Sequence, residues 1–173
     1  MTVHEETKFF YEDLNPGDIW RHRPGRTVSE MDNILFSAMT MNRSSLHFDE
    51  VYSSDTPLGG LPVNSLFTLS LVSGISSVTE GTGIANLGFR EVTFPKTVFA
   101  GDTIYCETEV VERRPSKSRP GEGIVTLEHR GLNQRQELVC RAVRLSLVRM
   151  RPTDQAAQAD QAASGATQSN AKD

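Results

Sequence analysis

Residues 61–78 read LPVNSLFTLSLVSGISSV, and no other stretch of this 173-residue chain restricts its fold so strongly. At 3.6 residues per turn, Val63, Leu66, Phe67, Leu69, Leu71, Val72 and Ile75 cover most of a helix's circumference, with small hydroxyl residues between them. Such a helix needs protein around nearly all of it. The chain has no run of about 18 apolar residues, so nothing in it is expected to span a membrane. Pro62 suits a first helical turn, and Gly59-Gly60 makes a flexible entry to it.

The material to enclose that helix follows it. Strand-like runs cover 84–94, 103–112, 123–131 and 136–149, with GLNQRQ as the turn between the last two. Pro95 and Ala100-Gly101-Asp102 separate the first pair, and RRPSKSRPGEG reads as a long charged loop after the second. Upstream, Asn15-Pro16-Gly17-Asp18 is a turn signal ahead of a short strand at Ile19–His22. SEMDNILFSAMTM reads as a helix ending near Met41. Ser29 is a good N-cap, Glu30 and Asp32 suit the first turn, and Met31, Ile34, Leu35 and Ala38 share one stripe. Early helices and a later series of antiparallel strands predict an α+β domain, a sheet wrapped around one very hydrophobic helix. No internal repeat is visible.

Composition narrows the partners. A net charge of −4 and a pI near 5.6 argue against nucleic acid, which favours a basic face. The acidic start MTVHEETKFFYEDL lacks the apolar segment of a secretory signal. Cys106 and Cys140 lie in strand-like runs and read as buried free thiols. These features predict a cytoplasmic protein. From Pro152 onward the chain has no aromatic and no β-branched apolar residue, so 152–173 is expected to be a disordered tail. That leaves 8–151 as one domain.

Four segments, LNPGD, LHFDE, LPVNSLFTLSLVSG and FPKTVFAGDTI, occur in an order and spacing that resembles the MaoC-like enoyl-CoA hydratases over most of residues 9–150. The resemblance implies a single hot-dog domain. TMNRSSLHFDE, NLGFREVTFP, SKSRP and LNQR are similar to the branch acting on branched or dicarboxylic C4–C5 acyl-CoA esters such as mesaconyl-CoA or itaconyl-CoA. It implies a hydratase/dehydratase with an acyl-CoA thioester as substrate, no metal or redox cofactor, and a homodimer.

Members of that family carry Asp-x-x-x-x-His at the active site. Here the His falls on His47, and Asn42 stands at the Asp position. Hydration needs water at the β-carbon, a proton at the α-carbon and donors for the enolate-like oxygen between those events. Histidine can take and give a proton near neutrality, so His47 would carry the proton work. Asn42 cannot act as a base, but its amide can orient a water. By the resemblance, Ser65 supplies the oxyanion-donating backbone amide, and Ser73 the hydroxyl that supports the acid-base pair. Lys117 and Arg119 could contact CoA phosphates.

Each assignment has a plainer competitor. Asn42 could be a helix-terminating residue tolerant of left-handed dihedrals, and His47 a structural or surface His. Asp49, which could orient His47 or compensate for the missing Asp, could as well cap a short helix. Ser65 and Ser73 could be ordinary helix positions, and Lys117 and Arg119 part of a solvated loop. His4, His22 and His129 are scattered without metal-ligand spacing. Two rival functions remain open. An acyl-CoA thioesterase on the same fold is one; a non-catalytic acyl-CoA-binding protein, which Asn42 makes credible, is the other.

Overall fold

Along residues 103–115 the side chains alternate: Ile104, Cys106, Thr108 and Val110 are buried, while Glu107 and Glu109 face outward. That period of two makes one face of a strand part of the core and the other a solvated surface. The computed structural model describes residues 9–77 and 81–152. Apart from Pro152, the expected C-terminal tail lies outside the described residues.

Five antiparallel strands, β1 (Ile19–Thr27), β2 (Gly83–Thr93), β3 (Thr103–Pro115), β4 (Glu122–Leu132) and β5 (Leu138–Arg149), form one sheet in the order β1-β3-β4-β5-β2. The helices are α1 (Glu30–Met39), α2 (Glu50–Ser54) and α3 (Ser65–Ile75). The hydrophobic α3 packs on the inner face of the sheet, as its composition predicts. Gly131 makes this approach possible: a Cβ there would meet the Val72 side chain at 2.5 Å. Around Val72 the core gathers Val28, Val63, Leu71, Val98, Ile104 and Val139. A second cluster, Leu14, Val110, Val125, Leu127 and Val148, fills the other end of the sheet.

Several local expectations shift. α3 starts at Ser65, three residues beyond Pro62, because Asn64 caps it by accepting the Leu66 N–H at 3.0 Å. Pro62 instead bridges to Phe99 in an extended segment. The enclosure of α3 is incomplete in a single chain, since Leu66, at 57% exposure, Ser70 and Gly74 leave one line of the helix open. Ser29 does cap α1, and Asp32 closes the capping box. The predicted apolar stripe of α1 is not its buried face, however: Met31, Leu35 and Ala38 are exposed, whereas Asn33 and Ser37 are buried. Hydrogen bonds made by Asn33 turn that polar edge inward. β1 runs on to Thr27, and β3 continues to Pro115, shortening the charged loop to residues 116–121.

Cys106 and Cys140 are free and buried, and burial pushes their thiols up to about 12 and about 11. Both flank Gly131 in register, so two strand spacings, roughly 9–10 Å, separate them. That exceeds the reach of a disulfide, about 7 Å between Cα atoms.

Candidate active site

At the N-terminal tip of α3, three segments distant in sequence meet at one carbonyl. The Asn33 Nδ2 donates to the Pro62 oxygen at 3.2 Å, and His47 Nδ1 lies 2.9 Å from the same oxygen. A carbonyl only accepts, so His47 carries its proton on Nδ1, and Nε2 is left as the ring's basic nitrogen. His47 sits at the end of a 3-10 turn, Ser45–His47. Asn33 Oδ1 accepts the Asn64 N–H at 2.8 Å, and Val63 N–H donates to Val98 oxygen at 2.8 Å. The start of α3 is therefore anchored to α1 on one side and to the 98–99 segment on the other.

His47 and Ser65 line one cleft of about 240 Å³, together with Thr68, Phe94, Lys96 and Val139. Asn64 takes the Leu66 amide, while the Ser65 N–H has no acceptor among the described residues. An N–H at the first turn of a helix, with the helix dipole behind it, favours developing negative charge. His47 and Ser65, the first helical residue with its amide unused, thus line one largely apolar cavity. That arrangement can move a proton and stabilise an oxyanion on one small molecule. No Asp or Glu lines the cleft among the described residues.

The other sequence-derived candidates are not gathered there. Asn42 Oδ1 accepts the Ser44 N–H at 2.9 Å, closing the turn that leads to His47, and Asn42 is not among the residues lining the cleft. The left-handed residue at this corner is Met41, with φ 55°, so the predicted helix-ending role passes to its neighbour. Asp49 caps α2 by accepting the Tyr52 N–H at 3.0 Å. Ser73 lies eight residues beyond Ser65, roughly 12 Å along the axis of α3, half-buried and away from the cleft. Lys117 and Arg119 occupy the exposed β3–β4 hairpin, where Arg119 pairs with Glu122 at 3.6 Å. Register puts that hairpin at the far end of the sheet. Pro115 pairs with Gly123, eight residues of β4 from Gly131, which stands opposite Cys140 next to cleft residue Val139. That span is roughly 26 Å.

Sequence reasoning missed Asn33, Lys96 and Thr68. Asn33 looked like a polar position on an amphipathic helix, and its burial at 3% exposure has no local signature. It also missed a second meeting of histidines. His22 Nε2 and His129 Nδ1 lie 2.8 and 2.9 Å from one hydroxyl, that of Thr108, on the inner face of the sheet. Burial lowers both imidazoles, with Arg144 adding to the effect on His129, which falls to about 4. Among the described residues, no group of three or more His, Cys, Asp or Glu is arranged to hold a metal ion, and no helix is long and apolar enough to cross a membrane.

Comparison with known proteins gives the family and the fold. A family profile described as a MaoC like domain matches residues 13–132. A mesaconyl-CoA hydratase of Cereibacter sphaeroides is 34% identical over 83% of this chain, which spans only 42% of the length of that relative. The crystal structure of a MaoC-like dehydratase from Rhodospirillum rubrum is 32% identical with a TM-score of 0.74, covering 83% of this chain and 99% of that one. A Mycobacterium tuberculosis protein with a double hotdog fold superposes with a TM-score of 0.74 at 24% identity, over 84% of this chain and 45% of that one. The sheet wrapped on α3 is thus a single hot-dog domain.

Proposed function

This chain belongs to the MaoC-like domain family, and from that premise we propose that it adds water to the double bond of a short enoyl-CoA thioester, or removes it in reverse. The observation carrying this reading is the shared cleft: the His47 ring, its proton held on Nδ1 by the Pro62 carbonyl, stands with Ser65 at the tip of α3. His47 Nε2 takes a proton from water as the oxygen bonds to the β-carbon. The electron pair of the double bond moves onto the thioester oxygen, where the Ser65 N–H receives the charge. The same nitrogen then returns the proton to the α-carbon. Asn42 shapes the turn that presents His47, and Ser73 supports the helix rather than the reacting atoms.

A cleft of about 240 Å³ suits a small acyl group, being below the roughly 300–1,000 Å³ of sites for larger ligands. A C4–C5 branched or dicarboxylic acyl chain such as mesaconyl fits this size, and Lys96 offers a counter-charge. The reading assigns no step to a metal or redox group. Thioester hydrolysis is the weaker reading because, among the described residues, no carboxylate lines the cleft to activate water at the thioester carbon.

A homodimer completes the proposal. β2 is an edge strand with Ile84, Leu87 and Phe89 exposed, a surface suited to pairing with a second copy. Antiparallel pairing along β2 would bring the second copy's 116–121 hairpin to the end of the sheet that holds this chain's cleft. Lys117 and Arg119 would then reach CoA phosphates from the other subunit. Incubation with mesaconyl-CoA and crotonyl-CoA tests the activity. Loss of enoyl absorbance with the thioester intact is expected; release of free thiol would mean hydrolysis, and no change in either substrate would leave only binding.

A further inference from the structure

The contacts around Pro62 point to a residue that neither touches the cleft nor belongs to the catalytic pair. We infer that Asn33 is a positioning residue that sets the tautomer of His47 and the aim of the α3 tip through its hold on the Pro62 carbonyl and the Asn64 amide. Its carboxamide uses all of its reach. Oδ1 accepts the Asn64 N–H at 2.8 Å, and Nδ2 donates to Pro62 oxygen at 3.2 Å and to His47 oxygen at 3.5 Å. One buried side chain therefore grips the residue before α3's first amide, the acceptor of the imidazole proton and the backbone of the imidazole itself.

Chemistry explains why that grip matters. His47 can serve as a base at Nε2 only while Nδ1 keeps its proton, and the Pro62 oxygen is what keeps it there. A carbonyl free to rotate would let either ring nitrogen carry the proton. The Ser65 amide depends on the same residue, because Asn64, which caps α3, is fixed by Asn33. A displacement near 1 Å at a reacting group can cost about 100-fold in rate. Asn33 also faces Glu30 and Glu50 across the opening next to it, but hydrogen bonds of neutral groups do its work.

The inference rests on the hydratase reading for its rate effect but not for its structural effect, so two measurements separate them. In Asn33→Ala and the smaller change Asn33→Ser, kcat should fall about 10- to 100-fold with KM within threefold of wild type. The 15N shifts of the His47 ring, read by NMR without substrate, should change from one dominant Nδ1–H form to a mixture of tautomers. A folded variant with unchanged tautomer and kcat within twofold overturns the proposal, even if its Tm is lower. Failure of both variants to fold also overturns it, leaving Asn33 a fold-holding role. If wild type hydrates no enoyl-CoA, the hydratase reading fails, and the tautomer alone decides the fate of Asn33.

Discussion

His47 and His129 each place a ring nitrogen 2.9 Å from a single oxygen, yet the two regions ask opposite things of an imidazole. At the cleft, the oxygen is a carbonyl, which fixes the proton on one nitrogen and leaves the other for chemistry beside an open cavity. On the inner face of the sheet, the oxygen is the Thr108 hydroxyl shared with His22, fully enclosed between the two hydrophobic clusters. There the protonated ring is disfavoured, since burial and the Arg144 charge both oppose it. Exposure and the nature of the partner oxygen, rather than residue type, set the two imidazoles apart.

The largest effect that could break this contrast is on activity. His47→Ala should lower turnover of enoyl-CoA by about 10²–10⁴-fold while leaving the thermal midpoint nearly unchanged. Turnover near the wild-type rate would move the proton work elsewhere. Ser65→Pro is the next largest. Proline is well tolerated at the first helical position, so the fold should persist, but the amide hydrogen is gone and kcat should drop by about 10²–10³-fold. A kcat retained in that variant would take the oxyanion away from the α3 tip.

The sheet-side histidine should show itself in stability instead. Its folded-state pKa, about 4, lies below the unfolded value of 6.5, so the folded chain favours the neutral ring. Above pH 6.5 neither state binds the proton. As pH falls from about 6.5 to about 4, the unfolded chain takes up a proton that the folded chain refuses, and stability is lost. The loss reaches about 3 kcal/mol at most. Urea unfolding at a series of pH values should show this slope, and His129→Gln should reduce it to the part that buried His22 contributes, without touching kcat. A slope identical in the two proteins would mean that the burial of His129 carries no acid sensitivity.

The smallest effects concern the charged contacts to the two ends of the substrate. At the acyl end, Lys96→Ala should raise KM for mesaconyl-CoA about fivefold with kcat unchanged, as expected for one exposed ion pair, and should leave KM for crotonyl-CoA unchanged. Replacing Lys117 and Arg119 together should raise KM about two- to threefold, and only in the dimer. An unchanged KM would remove the hairpin from the site.

Some of this was legible residue by residue. The Ser29 cap and the acidic first turn of Glu30 and Asp32 follow from the sequence, because a cap depends on groups three positions apart; the box that Asp32 closes shows only in the structure. The strands from Gly83 to Arg149 and the hydrophobic α3 were visible in their periodicity. His47 and Ser65 are singled out by family likeness, not local pattern, and the structure brings them to one cleft. The inward face of α1 was misjudged because hydrophobicity favoured Met31 and Leu35, while tertiary hydrogen bonds buried Asn33.

The linear chain settled what near neighbours decide: where helices can be capped, which runs alternate, and which helix is too apolar to stand in water. Tertiary structure decided what converges. His22 and Thr108 are 86 residues apart, and Asn33 and Asn64 are 31 apart. Whether such pairs meet depends on strand register and on how one segment lies against another. Those relations arise from the packing of the whole domain, and no stretch of residues carries them locally.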